Sequence, residues 1–423
     1  MSLKVVEICA GAGGQSLGLM RAGFEHALAV ELDETAAATL EHNLRLRGEG
    51  TARVAVGDVA DSAVWNPEEF ANVDLLAGGV PCPPFSVAGK QLGSRDERDL
   101  FAWAVELVER VRPRALLLEN VRGLSMPRFA AYRQAVADRL DGLGYWSEWR
   151  LLQASEFGVP QLRPRFVLVA IDRGRASAFE WPEPTGDAVT VGDALGELMG
   201  ERGWRFAKDW ARGADGIGPT VVGGSKKHGG ADLGPTRARQ AWAKLGVDGR
   251  GVADAAPAPD APSHLEVMPR LTNEMVARVQ GWGGPGFEWE FLGRKTSVYR
   301  QIGNAFPPPV AAAIGRQIAL ALSGVAGSVP ATSTVVHDPV YRALRSATSP
   351  LTLDQLTAVT ADRMSREQVS VSLRALESDF AMQEIRTDDG PAYLLGDFLA
   401  FQGQAEHERH EYFQDRSRRS RVS

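Results

Sequence analysis

Residues 3–14, LKVVEICAGAGG, indicate the fold class, because a strand-like apolar run leads directly into a glycine-rich turn. Similar apolar runs recur at HALAVEL (26–32), RVAVGD (53–58), VDLLAGG (73–79), ALLLENV (115–121) and FVLVAIDR (166–173). Helical patterns such as ETAAATLEHNL (34–44) separate them. Strands without polar alternation are expected where helices cover both faces of a parallel sheet. The sequence therefore predicts an α/β fold with a doubly wound, mostly parallel sheet.

Length and composition limit the class of protein. A chain of 423 residues is too long to fold around one ordinary hydrophobic core, so two or three domains are expected. No run approaches the ~18 apolar residues that a membrane span needs, and MSLKVVEICA lacks the zones of a secretory signal. We expect a cytoplasmic, monomeric protein without a membrane partner. Cys9 and Cys82 are the two cysteines, which excludes a disulfide framework and a cysteine-rich zinc site, and no metal is expected.

The strand and helix rhythm predicts the domain organisation. It fades after residue 173, and residues 174–269 are rich in Gly, Arg and Pro, as expected of an inserted domain. The pattern returns over 270–325, which would complete the first domain, 1–173. A linker at 326–337 then precedes residues 338–400, where two helical segments and an Asp389-Gly390 turn predict a small winged-helix-like domain. The basic tail, 401–423, is expected to be disordered.

The turn after the first strand is a candidate cofactor site. Gly11, Gly13 and Gly14 let a ligand approach the backbone, and Glu31 ends the second strand, where a carboxylate can accept from both hydroxyls of a ribose. Asp58, at the end of the third strand, could meet the amino edge of an adenine. A nicotinamide dehydrogenase is the rival interpretation, but Ser16 stands where its third glycine is expected. A purely structural turn also stays open.

Three further groups are predicted at the same edge of the sheet. Cys82 follows the fourth strand between prolines that fix its backbone, although an inert buried thiol is the alternative. Glu119 ends the ALLLENV strand, where capping of the next helix is the alternative. Arg163 and Arg165, in QLRPRF, occupy alternate positions of an extended segment and could point at one ligand or at solvent.

Positive charge is concentrated in the predicted insert. The chain has a net charge of -6, yet residues 201–250 contain ten Lys and Arg and five acids, a net charge of +5. A basic segment of this kind suits phosphate contacts, and a solvated loop face is the alternative.

Taken together, these motifs resemble one family. EICAGAGG, the acid of AVELD, GD at 57–58, PCPPFS, ENV, QLRPR and RQIGNAFPP occur in the order found in DNA (cytosine-5)-methyltransferases of restriction-modification type. The resemblance covers residues 3 to about 173 and 270–322. It implies an S-adenosylmethionine-dependent methyltransferase fold, with 174–269 as a target-recognition domain and double-stranded DNA as the partner.

The resemblance also implies roles for individual residues. Cys82 would attack C6 of a flipped-out cytosine, and Glu119, Arg165 and Arg163 would hold the base. The S-adenosylmethionine site would be formed by Ala10, Gly11, Ala12, Gly13, Gly14, Glu31, Leu32, Asp58, Val59, Pro81 and Asn304. DNA contacts would come from Ser86, Lys90, Gln161, Lys226, Lys227, Arg237 and Arg239.

Some expectations stay open at this stage. Cys9 stands where the family commonly has Phe, so an aromatic contact to the adenine is expected to be lost or supplied elsewhere. A tRNA cytosine-5 methyltransferase and a non-catalytic DNA-binding regulator are the alternative functions. A cognate restriction endonuclease is a candidate partner that would act separately.

Overall fold

The fold was analysed in a computed structural model, which describes residues 2–48, 52–80, 100–186, 188–223, 230–324, 337–388 and 390–399. Six predicted site residues lie outside the described residues: Pro81, Cys82, Ser86, Lys90, Lys226 and Lys227. The predicted tail, 401–423, and most of the predicted linker lie outside them as well.

A seven-stranded sheet forms the centre of the molecule. Its strands are β1 (Leu3–Ile8), β2 (Phe24–Glu31), β3 (Arg53–Val56), β4 (Leu75–Gly78), β5 (Ala115–Val121), β6 (Tyr145–Gln153) and β8 (Pro164–Asp172), with the short β7 (Gln161–Leu162) just before β8. The strand order is β3-β2-β1-β4-β5-β8-β6. Strands β3 to β5 are parallel along this order, and β8 runs antiparallel to both of its neighbours. The predicted α/β fold with a mostly parallel sheet is confirmed.

Helices cover both faces of this sheet. On one face, α3 (Leu100–Val111) and α4 (Ala130–Gly142) pack against side chains such as Val6 and Ile8. On the other face lie α1 (Gly14–Arg21), α2 (Glu34–Leu46) and α10 (Pro308–Ser323). Helices α1 and α10 approach so closely at Gly18 that a Cβ there would lie 2.4 Å from the Cβ of Ala311. Residues after 300 therefore complete the fold that residues 3–173 begin.

A second core lies beside the sheet. Its helices are α5 (Val191–Gly200), α6 (Ala207–Gly213), α7 (Thr236–Lys244), α8 (Asn273–Val279) and α9 (Lys295–Asn304), and β9 (Gly218–Pro219) pairs with β7. Trp210 and Trp242 from the predicted insert pack in one cluster with Met275 and Tyr299. The insert thus shares its core with α8 and α9, which lie beyond the predicted boundary at residue 269.

Residues 337–399 fold against α4. They contain α11 (Pro339–Ser346), β10 (Leu351–Thr352), α12 (Leu353–Val359), α13 (Arg366–Asp379), β11 (Gln383–Thr387) and β12 (Gly390–Leu394). The three strands form an antiparallel sheet in the order β10-β12-β11. Phe398 contacts the ring of Tyr132 on α4 edge to face, with 5.2 Å between the ring centres, and the Tyr341 hydroxyl donates to Asp138. This extension therefore shares a hydrophobic core with the seven-stranded sheet. In the part of the chain described here, no helix is long and apolar enough to cross a membrane.

Candidate active site

A cavity of about 240 Å³ opens where the chain leaves β1 and β4 in opposite directions. Ligands of open α/β sheets bind at such a point, beyond the carboxyl ends of the strands. Of the residues predicted for the site, seven line the cavity: Ala10, Gly11, Ala12, Gly14, Glu31, Glu119 and Asn304. The loop after β1, the ends of β2 and β5, and α9 therefore meet around one space.

The glycine-rich turn forms one wall of this cavity. Gly11 and Gly13 have φ angles of +57° and +97°, which favour glycine over any residue with a side chain. A Cβ on Gly14 would lie 2.4 Å from the carbonyl oxygen of Phe306, at the start of α10. The turn therefore requires glycine both for its conformation and for its contact with the segment that leads into α10.

Glu31 is held in one orientation by the backbone. Its Oε2 accepts a hydrogen bond from the amide of Gly11 at 2.8 Å, and its Oε1 accepts from the amide of Asp33 at 2.8 Å. Burial raises the pKa of Glu31, although these two amide hydrogen bonds act in the opposite direction. Each oxygen can still accept a second hydrogen bond, so the carboxylate can accept from a pair of ligand hydroxyls.

Four other residues predicted for the cofactor site are not among those that line the cavity: Gly13, Leu32, Asp58 and Val59. Leu32 is 54% exposed, and the Asp58 carboxylate accepts a hydrogen bond from the amide of Ala60 at 2.9 Å. Their contacts with a cofactor stay predictions.

Glu119 and Arg165 form a buried ion pair at the cavity. The Nε atom of Arg165 lies 2.5 Å from Oε1 of Glu119, and their side chains are 11% and 12% exposed. Strands β5 and β8 bring them together. Arg165 is opposite Val121 in the antiparallel register, and Glu119, two residues before Val121, is its diagonal neighbour on the same face of the sheet. Burial lowers the pKa of Arg165, and the charge of Glu119 opposes that change. Oε2 of Glu119 lies 3.5 Å from where a Cβ on Gly79 would be, and Gly79 also lines the cavity.

Arg163 does not join this pair, which corrects the prediction that both arginines point at one ligand. Its guanidinium is fully buried and donates to the carbonyl oxygens of Val221 (2.6 Å), Gly303 (2.8 Å) and Ala305 (2.9 Å). Burial, followed by the positive charge of Arg165, lowers the pKa of Arg163. Side chains at alternate positions share a face only within one regular strand, and Arg163 lies between β7 and β8. Arg163 instead links Val221 of the predicted insert to the C-terminal end of α9.

Gln161 requires a similar correction. It is completely buried, and its amide nitrogen donates to Gln280 Oε1 at 2.7 Å, while its Oε1 accepts from the amide of Val221 at 2.8 Å. A side chain enclosed in this way cannot reach DNA in this conformation. Of the other predicted DNA contacts, Arg237 lies exposed on α7, and Arg239 donates weakly to Thr236 at 3.4 Å.

Comparison with known proteins agrees with this geometry. A family model for C-5 cytosine-specific DNA methylases matches residues 3–320. The chain belongs to this family. The predicted family and the predicted activity, that of a DNA (cytosine-5)-methyltransferase, are thereby confirmed.

Two relatives indicate how far the similarity to this methylase extends. The type II methyltransferase M.NaeI of Lentzea aerocolonigenes is 59% identical over 415 residues, which is 97% of this chain and 98% of the relative. The type II methyltransferase M.NgoMIV of Neisseria gonorrhoeae is 45% identical over 326 residues, 76% of this chain and 99% of the relative. The similarity to M.NgoMIV thus leaves about a quarter of the present methylase unmatched. The similarity to M.NaeI extends over nearly the whole of the present methylase.

A solved structure supports the fold. A prophage-encoded protein of E. coli, described as a DNA modification methyltransferase, superposes with a TM-score of 0.51 and 23% sequence identity. The match covers 76% of this methylase and 100% of that chain.

The structure adds cavity residues that were not predicted as site residues, although Glu7, Arg300 and Gln301 lie within the quoted motifs. Glu7 and Gln15 line the cavity, and α9 contributes Ser297, Arg300 and Gln301. Positions 297, 300, 301 and 304 share one face of a helix, so the spacing from Asn304 could have indicated them. Glu7 is fully buried, and its Oε2 accepts from the Ser16 hydroxyl at 2.7 Å. An acid in an otherwise apolar strand was the available signal for Glu7.

Proposed function

We propose that this methylase is the modification enzyme of a type II restriction-modification system. It transfers a methyl group to C5 of a cytosine within a specific sequence of double-stranded DNA. A restriction endonuclease that acts separately would cut the same sequence when it is unmethylated. The description of M.NaeI and M.NgoMIV as type II methyltransferases supports this proposal, because both are matched over almost their full length.

S-adenosylmethionine is the proposed cofactor, and the residues of the cavity fit it. Glu31 suits the ribose hydroxyls. The side-chain amide atoms of Gln15 and Oε1 of Glu7 are buried without a hydrogen-bond partner among the described residues, as expected where a polar ligand or water completes the site. Four carboxylates, those of Glu7, Glu31, Asp33 and Glu119, line the cavity and suit a cationic ligand. When bound, the cofactor supplies a methyl group activated by its sulfonium.

The covalent chemistry is assigned to Cys82. Its thiolate adds to C6 of the flipped-out cytosine, so that an Sγ–C6 bond forms and the electron pair of the C5–C6 double bond becomes available at C5. After C5 is methylated, its proton passes to water, the Sγ–C6 bond breaks and the ring regains its aromaticity. The thiolate of Cys82 is thereby restored for the next turnover.

Glu119 and Arg165 are proposed to hold the base during this reaction. Glu119 would hydrogen-bond to N3 and to the exocyclic amine of the cytosine, which offsets the charge that develops as the thiolate adds. Arg165 would keep that carboxyl in place through the 2.5 Å contact between Nε and Oε1. The burial of this pair beside Gly79, the last lining residue before the Cys82 segment, is the observation that carries the proposal.

A trapping experiment tests the mechanism. Duplex DNA with 5-fluorocytosine at the target cannot lose a proton from C5, so the adduct should persist as a covalent complex that needs both S-adenosylmethionine and Cys82. Cys82→Ser should form no complex under conditions in which the wild-type protein does. Absence of an adduct with duplex DNA, together with methylation of tRNA, would contradict the proposal.

The second core is proposed to contain the target-recognition domain, residues 174–269. The net positive segment 201–250 supports phosphate contacts there, and arginines can read guanines in the major groove. Arg237, Arg239, Lys226 and Lys227 are the proposed DNA contacts of this domain, and Ser86 and Lys90 those of the segment after Cys82.

The C-terminal extension is proposed to be a winged-helix-like domain. The order α11-β10-α12-α13-β11-β12 and the strand order β10-β12-β11 support this assignment. The buried positions of Val369, Leu373 and Leu376 support α13 as its central helix.

A further inference from the structure

Helix α9 lines the cavity together with the glycine-rich turn. Ser297, Arg300, Gln301 and Asn304 line the cavity from this helix. Gln301 is held by other parts of the chain, because its Oε1 accepts from the Thr39 hydroxyl at 2.7 Å and its Nε2 donates to the carbonyl of Leu292 at 2.9 Å. Gln301 is therefore already committed to neighbouring elements.

Arg300 differs from Gln301, because the Nε of its guanidinium has no hydrogen-bond partner among the described residues. Its Nε atom is enclosed, yet it makes no hydrogen bond within the described part of the chain. A buried donor without an acceptor is costly, and this one lies at the cavity, where an anionic group of a ligand can accept from it. The guanidinium is planar and presents its donors as a fork, which suits a carboxylate.

The other charges around the cavity indicate why a cation is needed there. Arg300 is the single positively charged side chain among the described residues that line it, against the carboxylates of Glu7, Glu31, Asp33 and Glu119. S-adenosylmethionine has two positive groups, the sulfonium and the ammonium, and one negative group, the α-carboxylate. The acids favour the positive groups, whereas the α-carboxylate would be repelled unless a cation faced it.

We propose that Arg300 binds the α-carboxylate of the cofactor's methionine and thereby selects a ligand with an intact amino-acid end. The proposal rests on the proposed S-adenosylmethionine site. A DNA phosphate is the competing anion. The position of Arg300 favours the cofactor, because its Nε is enclosed and it lines the same cavity as Glu31 and the glycine-rich turn. DNA phosphates, by contrast, remain at the protein surface.

Equilibrium binding of two ligands tests this assignment in the full-length protein. S-adenosylhomocysteine has the carboxylate, whereas decarboxylated S-adenosylhomocysteine keeps the ammonium group and lacks the carboxylate. Arg300→Gln should weaken binding of the first ligand about 10- to 100-fold, as expected for loss of a charge-assisted hydrogen bond. Its affinity for the second ligand should change less than about threefold, and Arg300→Lys should recover part of the preference.

Arg294→Gln is the matched control, because Arg294 is an exposed arginine just before the same helix and does not line the cavity. Equal weakening of both ligands by Arg300→Gln would overturn the proposal, and so would unchanged binding of both. Weaker DNA binding with unchanged binding of S-adenosylhomocysteine would assign Arg300 to a phosphate instead. If the wild-type protein bound neither ligand, the proposed cofactor itself would be wrong.

Discussion

Arg165 Nε lies 2.5 Å from Glu119 Oε1, and almost nine-tenths of each side chain is buried. Each charge has lost most of its hydration and is compensated mainly by the other. Removal of one partner from such a pair leaves an uncompensated charge and typically costs about 3–5 kcal/mol. The pair therefore contributes both to the chemistry at the cavity and to the pairing of β5 with β8.

We predict that Glu119→Gln and Arg165→Met each lower the free energy of unfolding by about 3 kcal/mol, measured by urea denaturation. The double variant should lose less than the sum, because it buries no unpaired charge. Methyl transfer to DNA should fall about 10²- to 10⁴-fold in Glu119→Gln, as is usual when a group that acts on the reacting base is lost.

Glu106→Gln is the control for this comparison, because Glu106 and Arg139 form an ion pair with side chains 27% and 30% exposed. Its effect should stay near or below about 1 kcal/mol. Strictly additive effects of Glu119→Gln and Arg165→Met would contradict the coupling.

Arg163 is predicted to act on stability rather than on the base. Arg163→Met would leave the carbonyls of Val221, Gly303 and Ala305 without their donor, so the free energy of unfolding should fall by about 3 kcal/mol. Arg316→Met, at an exposed position on α10, should change it by less than about 0.5 kcal/mol. A stable Arg163→Met protein that fails to bind the flipped cytosine would restore the role predicted from the sequence.

The parts of the site that follow directly from strand ends could be predicted from the sequence. Gly11, Gly14 and Glu31 are placed by the strand to which each is attached, and the parallel sheet brings those strand ends together. Glu119 was predictable for the same reason. Local pattern is sufficient where a side chain lies at the end of a regular element.

The contacts that join distant segments could not be predicted. Arg163 is held by carbonyls at 221, 303 and 305, and Gln161 by residues 221 and 280, none of which is near it in sequence. The predicted end of the insert at residue 269 was uncertain for a related reason, since it also depends on contacts between distant segments. The amphipathic pattern of α8 predicts a buried face, but it does not reveal that this face packs against the insert.

Trp289 is predicted to stabilise the glycine-rich turn for cofactor binding. Its indole N–H donates to the carbonyl of Ala12 at 2.8 Å, and its ring fills the space where a Cβ on Gly13 would lie. Trp289→Phe keeps an aromatic ring but loses the hydrogen bond, so the affinity for S-adenosylhomocysteine should fall about 5- to 10-fold by calorimetry. Trp181→Phe, at a buried tryptophan next to Phe179, is the control and should leave that affinity unchanged. Equal effects of the two substitutions would indicate a general loss of stability instead.

The docking of the C-terminal extension is predicted to weaken in mild acid through His337. Its backbone amide donates to Gln134 Oε1 on α4 at 3.0 Å, and burial, then the charge of Arg133, lower the pKa of its imidazole to about 4. The unfolded segment takes up this proton near pH 6.5 and the folded one only near pH 4, so the stability contributed by the neutral imidazole is lost as pH falls through that window. With allowance for solvent screening, the loss should be on the order of 1–2 kcal/mol. Limited proteolysis and urea denaturation at pH 7.5 and pH 5 should show the difference, and His337→Gln should reduce it, whereas His264→Gln, in the second core, should not. A difference of the same size in wild type and His337→Gln would exclude His337 as its source.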